Sequence, residues 1–551
     1  MSDLLGTGVG RGVAHGPVLR MADPLGTPST APLEGSADDA KQAVHTALAA
    51  VAEDLNKRGQ LAGGDAQAVL EAQALMAQDP TLLDDVHIRI DGGTNAERAV
   101  HEAFAQFRDL LVGMGGYMGE RAADLDDVAQ RIVAKLRGVP APGVPESETP
   151  FVLVARDLAP ADTALLDLDK VLALVTRDGG PTSHTAILAR AKGITAIVGV
   201  TGADDLVEGQ HVVVDAGAGT VVTEPSDELV ADVEQRIAER RAAAAAPLTA
   251  GALADGHVVP LLANLGSPAD AQAAVDLGAE GVGLFRTEFL FLDSPTAPTV
   301  ASQQASYEQL LAAFPGKKVV VRALDAGADK PLPFLTDKDE ENPALGRRGL
   351  RALRNHPQVL RDQLTALAQA DAATEADLWV MAPMVADAEE TEYFVDLARE
   401  LGIRTAGVMA EVPSLALMAE QVFQSADFVS IGTNDLTQYT MAADRMLGTV
   451  AHYQDPWHPA VLRLVAQLGT AGADAGKAVG ICGEAAADPL LAVVLVGLGA
   501  TTLSMTPAAL ADVRAELGKH TLDEARGMAQ AALAASTAAA AKSAASAAHA
   551  V

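Results

Sequence analysis

The sequence predicts a multidomain α/β protein: an α/β body interrupted by a helical bundle, one connecting helix, then a (β/α)8 barrel. Three observations carry this. Beyond residue 250, eight short apolar stretches recur, separated by helical pattern, and eight such units in about 270 residues suit a (β/α)8 barrel. Earlier, strand signals near the start and again from Phe151 flank about 100 residues that read as helix alone. Between them, Asp227 to about Ala246 is charged, Ala-rich and strongly helical, ends at Pro247, and has few apolar positions to bury.

Composition narrows the function classes. The chain has 551 residues, of which 49% are hydrophobic and only 3% aromatic, so large cores must be built from Leu, Val and Ala. The net charge of −33, with no offsetting basic cluster, argues against nucleic acid or an anionic membrane as partner and suits a basic protein partner. The single cysteine, Cys482, rules out an internal disulfide framework and is consistent with a reducing compartment. No secretion signal is recognised at Met1–Gly6, and Leu490–Met505 is too broken by Gly and Thr to span a bilayer, so a cytoplasmic protein is expected.

In chain order, residues 1–22 hold short apolar pieces punctuated by glycine and read as an opening hairpin; residues 23–35 read as a linker. Residues 32–140 form the helical segment, divided by Gly63-Gly64, Asp79-Pro80 and Gly92-Gly93 into about four helices. It carries no phosphate loop or metal cluster, so its expected role is packing, or docking of a partner. Residues 150–225 resume alternating strand and helix signals and complete the body that residues 1–22 began. The connecting helix takes residues 226–247 and the barrel 250–530. Residues 531–551 are nearly all Ala with Ser, Thr and Lys, and frayed helix or disorder is expected.

The barrel strands are read as Val258–Asn264, Gly281–Phe285, Lys318–Ala323, Leu378–Met384, Ala406–Ala410, Phe428–Gly432, Ala478–Cys482 and Thr501–Met505. Chemistry in such barrels sits at the strands' carboxyl ends. Here those ends carry Asn264, Arg286, Arg322, Met384, Glu411, Asn434 with Asp435, Cys482 and Ser504. Arg286 and Arg322, with Arg445 as a third, suit a phosphate or carboxylate gripped bidentately. Glu411 and Asp435 offer hard oxygens that suit Mg²⁺ together with substrate oxygens. Cys482 reads either as a core thiol or as a general acid–base group.

A second strong signal lies in the α/β body. The apolar run Val171–Val175 feeds the stretch Gly179-Gly180-Pro181-Thr182-Ser183-His184, after which an apolar-periodic segment opens. A histidine at the first turn of a helix, behind a glycine turn, meets converging N–H groups and the positive end of the helix dipole, where a phosphoryl group can be held. A histidine on one body and an anion- and metal-binding rim on the other point to phosphoryl transfer between them, with His184 attacking the phosphorus of a small phosphorylated acid.

These residues fall in motifs that closely resemble enzyme I of the bacterial sugar phosphotransferase system, the phosphoenolpyruvate–protein phosphotransferase family. From about residue 1 to 525 the motifs stand in family order: ERAADLDDV at 120–128, GGPTSHTAILAR at 179–190, GVGLFRTEFLF at 281–291, RALDAGADK at 322–330, ENPALGRRGLR at 341–351, IGTNDLTQYTMAADR at 431–445 and GICGEAA at 480–486. The resemblance implies a swivelling phosphohistidine domain whose His184 takes the phosphoryl group from phosphoenolpyruvate and passes it to a histidine of the small carrier HPr. It implies that Arg286, Arg322, Asn434, Asp435 and Arg445 bind phosphoenolpyruvate, that Glu411 and Asp435 bind Mg²⁺, and that Cys482 protonates the enolate to give pyruvate. Thr163 matches a position near the histidine. HPr docking on the helical insertion and a homodimer through the barrel are also implied. Pro181 and Asp126 stand where basic residues are common in the family, so phosphate contacts beside His184 and the docking surface are expected to differ. Two other readings compete: an ATP-charged enzyme like pyruvate phosphate dikinase or phosphoenolpyruvate synthase, for which a nucleotide-grasping domain is lacking, and a non-catalytic HPr-binding regulator, for which the rim is too complete. The family's nitrogen-branch variant, which usually adds an N-terminal sensory domain, is not expected, because the histidine body begins almost at Met1.

Overall fold

The structure is a computed structural model of the 551-residue chain. It describes all residues except 1–2, 11, 23–24, 63, 115–121, 142, 146, 159–165, 168, 181–182, 184, 187–188, 190–192, 247, 293–295, 327–331, 333, 336–339, 446 and 550–551. The chain divides into two compact units, Met1–Ala238 and Glu239–Val551, and the division falls within the helix Asp227–Ala245.

The first unit is built on an eight-stranded sheet of order β1-β8-β7-β3-β4-β5-β6-β2. Its centre is parallel: β3 (Val13–Arg20), β4 (Phe151–Ala155) and β5 (Val171–Thr176) run side by side, and every residue of β4 is buried. Strands covered on both faces must be apolar throughout, which explains the continuous Phe-Val-Leu-Val-Ala run. Separate apolar clusters around Val154 and Val175 and around Leu153 and Leu174 mark the two faces.

The expected opening hairpin is not formed. β1 (Asp3–Leu5) pairs with β8 (Thr220–Val222), and β2 (Thr7–Val9) pairs with β6 (Ala196–Val198), while β3 pairs with β4 and with β7 (His211–Asp215). One residue, Gly6, separates β1 from β2, and a hairpin turn needs at least two. Each opening strand therefore takes its hydrogen bonds from strands far along the chain.

The chain leaves β3 at Arg20 and returns in register beside it at Phe151. In between, the described residues hold helices over Ala37–Ala62, Gly64–Ala77, Pro80–Asp91, Ala96–Met114 and Ala122–Arg137, with their own core. The predicted break at Asp79-Pro80 is a true helix start. The Asp79 side chain accepts N–H bonds from Thr81 at 2.7 Å and Leu82 at 3.3 Å, and Pro80 occupies the first turn, where its missing donor costs nothing.

The second unit is a closed barrel of eight parallel strands, β9 (Leu261–Leu265), β10 (Val282–Phe285), β11 (Lys318–Arg322), β12 (Asp377–Ala382), β13 (Thr405–Ala410), β14 (Phe428–Ile431), β15 (Ala478–Ile481) and β16 (Thr502–Met505). Alternation along each strand sets the two faces. Val319 and Val321 join the outer core beneath the helices, while Leu284, Val320, Met381, Met409, Phe428 and Cys482 form a separate inner cluster. Stepping two residues from each inner member toward the carboxyl end reaches Arg286 from Leu284, Arg322 from Val320 and Glu411 from Met409. The predicted rim residues thus share the inward face with Cys482.

The Ala-rich tail corrects the expectation of frayed helix or disorder over 531–551. Helix Leu522–Ala534 starts on a Thr521/Glu524 capping box and is followed by helix Ala538–His549. Ala541 and Ala545 are fully buried against the barrel's outer core. Their four-residue spacing puts both on one helix face, and the small side chain lets helices approach closely. Alanine hides such a face because it buries little area per residue.

Candidate active site

At the carboxyl end of the barrel the chain concentrates buried charge. Glu288, Arg322, Asp325, Arg348, Glu411 and Asp435 are each at most 5% exposed. Arg322, ending β11, pairs with Glu288 at 2.7 Å, Asp325 at 3.1 Å and Glu411 at 3.7 Å. Arg348 bridges two carboxylates with its planar fork: Asp325 at 3.2 and 3.1 Å and Asp435 at 2.9 and 3.1 Å. It also donates to the Tyr439 hydroxyl at 3.1 Å, which in turn donates to the Ala344 carbonyl. Arg445 reaches Asp435 at 3.5 Å from the more open side.

Local sequence explains how these groups fit. Asp435 and Asn434 open the helix Thr433–Met441 directly after β14. Glu411 follows β13, and a side chain at Gly432 would place its Cβ 2.8 Å from the Glu411 carboxylate, so glycine there keeps the acid in place. Gly349 has φ of +59°, and a Cβ there would lie 2.8 Å from that of Met384. Met384 itself has φ of +56° and donates its N–H to Glu411 at 2.9 Å. A non-glycine residue held in the left-handed region is strained, and such strain gathers at functional sites.

Of the residues expected from sequence, Arg322, Glu411, Asp435 and Arg445 are brought into one network. The Asn434 side chain accepts the Glu484 N–H at 3.4 Å, tying the loops after β14 and β15. Arg286 follows β10, and its side chain has no ion-pair partner among the described residues. His184, Pro181 and Thr163 lie outside the described residues. On either side of His184, the Ser183 hydroxyl accepts the Ala186 N–H at 3.3 Å and the buried Thr185 hydroxyl donates to Asp157 at 2.9 Å. Asp126 accepts Arg108 at 3.1 Å on the helical insertion. Glu288, Asp325, Arg348 and Tyr439 were not singled out from sequence. The usable signal was charge inside otherwise apolar or Gly-flanked runs, as in Leu324-Asp325-Ala326 and Gly346-Arg347-Arg348-Gly349.

The donor set fits a divalent cation. Four buried carboxylates lie among the guanidiniums of Arg322, Arg348 and Arg445, and all four acids supply hard oxygens. Burial first, then repulsion from Asp435 and Asp325, pushes Glu411 up to about 8, while Arg322 and Arg348 act against the rise. Among the described residues no group of three or more His, Cys, Asp and Glu is placed to hold a metal alone. Glu411 and Asp435 would therefore share the ion with substrate or water oxygens.

Cys482 is buried, and its Sγ lies 3.4 Å from the Ile431 carbonyl, a donor contact toward it. Burial pushes the thiol up to about 12, Glu411 adds to the rise, and Ser430, Arg322 and Arg286 act against it. It is thus a protonated thiol at neutral pH, fit to donate a proton and poor as a nucleophile. In the folded protein at pH 8, less than about a tenth of it should react with a disulfide reagent such as DTNB within minutes, against a full equivalent in denaturant. Rapid full labelling of native protein would contradict the protonated, enclosed thiol.

Comparison with known proteins bears on this site. Three family models match in sequence order: "PEP-utilising enzyme, N-terminal" over residues 5–121, "PEP-utilising enzyme, mobile domain" over 147–219 and "PEP-utilising enzyme, PEP-binding domain" over 240–522. A phosphoenolpyruvate-protein phosphotransferase of Streptomyces coelicolor is 57% identical over 537 residues, covering 97% of each chain. Proteins of the same name from Haloferax volcanii and Bacillus subtilis are 42% identical over 86% of each chain and 36% identical over 98% of each chain.

Proposed function

The chain belongs to the PEP-utilising enzyme family of phosphoenolpyruvate–protein phosphotransferases, and from that premise we propose that it moves the phosphoryl group of phosphoenolpyruvate to His184 and then to a histidine of HPr. The observation that carries the reading is the inward-facing cluster of Arg286, Arg322 and Cys482 beside the Arg348–carboxylate network.

Arg286, Arg322 and Arg445, with Asn434, grip the phosphate and carboxylate of phosphoenolpyruvate, and Asp435 anchors both the arginines and the metal side of the pocket. An imidazole nitrogen of His184 attacks phosphorus in line. The new N–P bond forms as the bridging enol C–O–P bond breaks at phosphorus, and the electron pair leaves with the enolate oxygen. The Cys482 thiol gives its proton to the enolate carbon, producing pyruvate and a thiolate that regains a proton from solvent. Mg²⁺, held by Glu411 and Asp435, would supply charge neutralisation for the phosphoryl oxygens and the enolate. The phosphohistidine domain comprises residues 1–22 and 150–225, the HPr-docking insertion 32–140, the linker helix 226–247 and the substrate-binding barrel 250–530. The barrel also makes a homodimer. The protein works in the cytoplasm as the first step of sugar uptake, and no described helix is long and apolar enough to cross a membrane.

The test is incubation with phosphoenolpyruvate labelled at phosphorus, with and without Mg²⁺ and HPr, and labelled ATP as the comparison donor. Acid-labile label on the protein, chased to HPr and lost when a chelator is present, is expected. Label from ATP and none from phosphoenolpyruvate would replace this reading with the dikinase-like one. Labelling in excess chelator would remove the metal role from Glu411 and Asp435.

A further inference from the structure

Outside the barrel, two histidines meet on the sheet of the first unit. His15 lies on β3 and His211 on β7, which run antiparallel with His15 opposite Val213 and Pro17 opposite His211. The histidines are therefore diagonal neighbours on one face of the sheet. Nδ1 of His211 lies 3.4 Å from Nε2 of His15, and the ring centres are 5.3 Å apart at 46°. At 3.4 Å this is a long contact beside the about 3.0 Å of a well-formed hydrogen bond. A single ion bound at about 2.1 Å by both nitrogens, with a tetrahedral angle of about 109°, instead sets the donors about 3.4 Å and the ring centres about 5.3 Å apart. The observed pair has both dimensions.

We propose that His15 and His211 form a two-imidazole chelate for Zn²⁺ or a similar borderline divalent ion, with water completing its tetrahedron. Burial, and next the neighbouring His211, lower the affinity of His15 for a proton, so the imidazole is neutral and its lone pair available near pH 7. Glu234, on the helix Asp227–Ala245, acts on His15 with opposite sign and favours positive charge at this spot. That helix is seated on the same unit by buried Val233 and by the Arg236–Asp215 pair at 3.1 Å, and Asp215 ends β7. An ion here staples β3 to β7 at the foot of the connecting helix. Imidazole donors distinguish the site from the barrel's all-oxygen set, which suits Mg²⁺.

The test titrates Zn²⁺ into the full-length protein by calorimetry in a non-coordinating buffer containing excess Mg²⁺. One saturable equivalent that Mg²⁺ does not displace is expected, and Co²⁺ at the same site should show tetrahedral absorption bands. His211→Ala and His15→Gln should each weaken that equivalent by about tenfold or more, with the metal-free melting curve of the exposed-site variant His211→Ala unchanged. Zn²⁺ binding that is undiminished in both variants, or fully displaced by Mg²⁺, would overturn the proposal.

Discussion

His184→Ala is expected to lose phosphorylation by phosphoenolpyruvate altogether, at least about 10⁴-fold below the parent protein, because no other group in the proposed mechanism can carry the N–P bond. The described residues beside it are held by bonds of their own. Gly179, at φ of +95°, turns the chain out of β5; Ser183 caps the Ala186 N–H, and Thr185 is anchored to Asp157. Alanine at 184 disturbs none of these bonds, so the variant should fold. It should also still bind phosphoenolpyruvate, since the barrel groups are untouched, and the ligand should raise the melting temperatures of variant and parent protein alike. The pairing of preserved binding with absent label is the informative result. Label persisting on the variant in acid-labile form would move the nucleophile elsewhere, and loss of both binding and label would point to misfolding, which circular dichroism distinguishes.

How much of this could be read in the residues follows from the range of the interactions involved. The barrel was legible because eight short apolar runs recur with helical pattern between them, and such runs are a local property. Arg322 and Glu411 stand at the carboxyl ends of such runs, so the rim residues could be named before any contact was known. Arg348 could not. It sits in an irregular loop, and its partners Asp325 and Asp435 are 23 and 87 residues away. No local pattern announces a pairing of that span. The opening strands failed for the same reason: β1 finds its partner in β8, more than two hundred residues on, whereas the eye pairs neighbours. The tail failed differently. Its packing face is made of methyl groups at Ala541 and Ala545, which barely register as a hydrophobic stripe yet permit close helix contact.

Arg348→Met should be the most damaging change in the barrel that spares its hydrophobic core. In the parent protein this guanidinium is the shared cation of Asp325 and Asp435. Methionine keeps much of the length but leaves two buried carboxylates facing each other, with Glu411 already pressed toward protonation by both. Removing one partner of a buried ion-pair network costs about 3–5 kcal/mol, because the remaining charges stay desolvated. For a body of this size that lowers the melting temperature by roughly 6–10 °C. Part of the loss should return when Mg²⁺ is added, since a divalent ion restores the missing positive charge. Arg348→Lys should recover some stability without recovering function, because one ammonium cannot span two carboxylates as the fork does. The kinetic signature separates orientation from mere folding. Pyruvate formation from phosphoenolpyruvate should fall about 10²–10³-fold through misplacement of Asp435, while transfer between pre-phosphorylated His184 and HPr, which bypasses the barrel, stays at the parent rate. A variant that melts early but turns over phosphoenolpyruvate normally would reduce Arg348 to a structural strut. One in which both half-reactions fall together would mean that the damage had spread beyond the barrel.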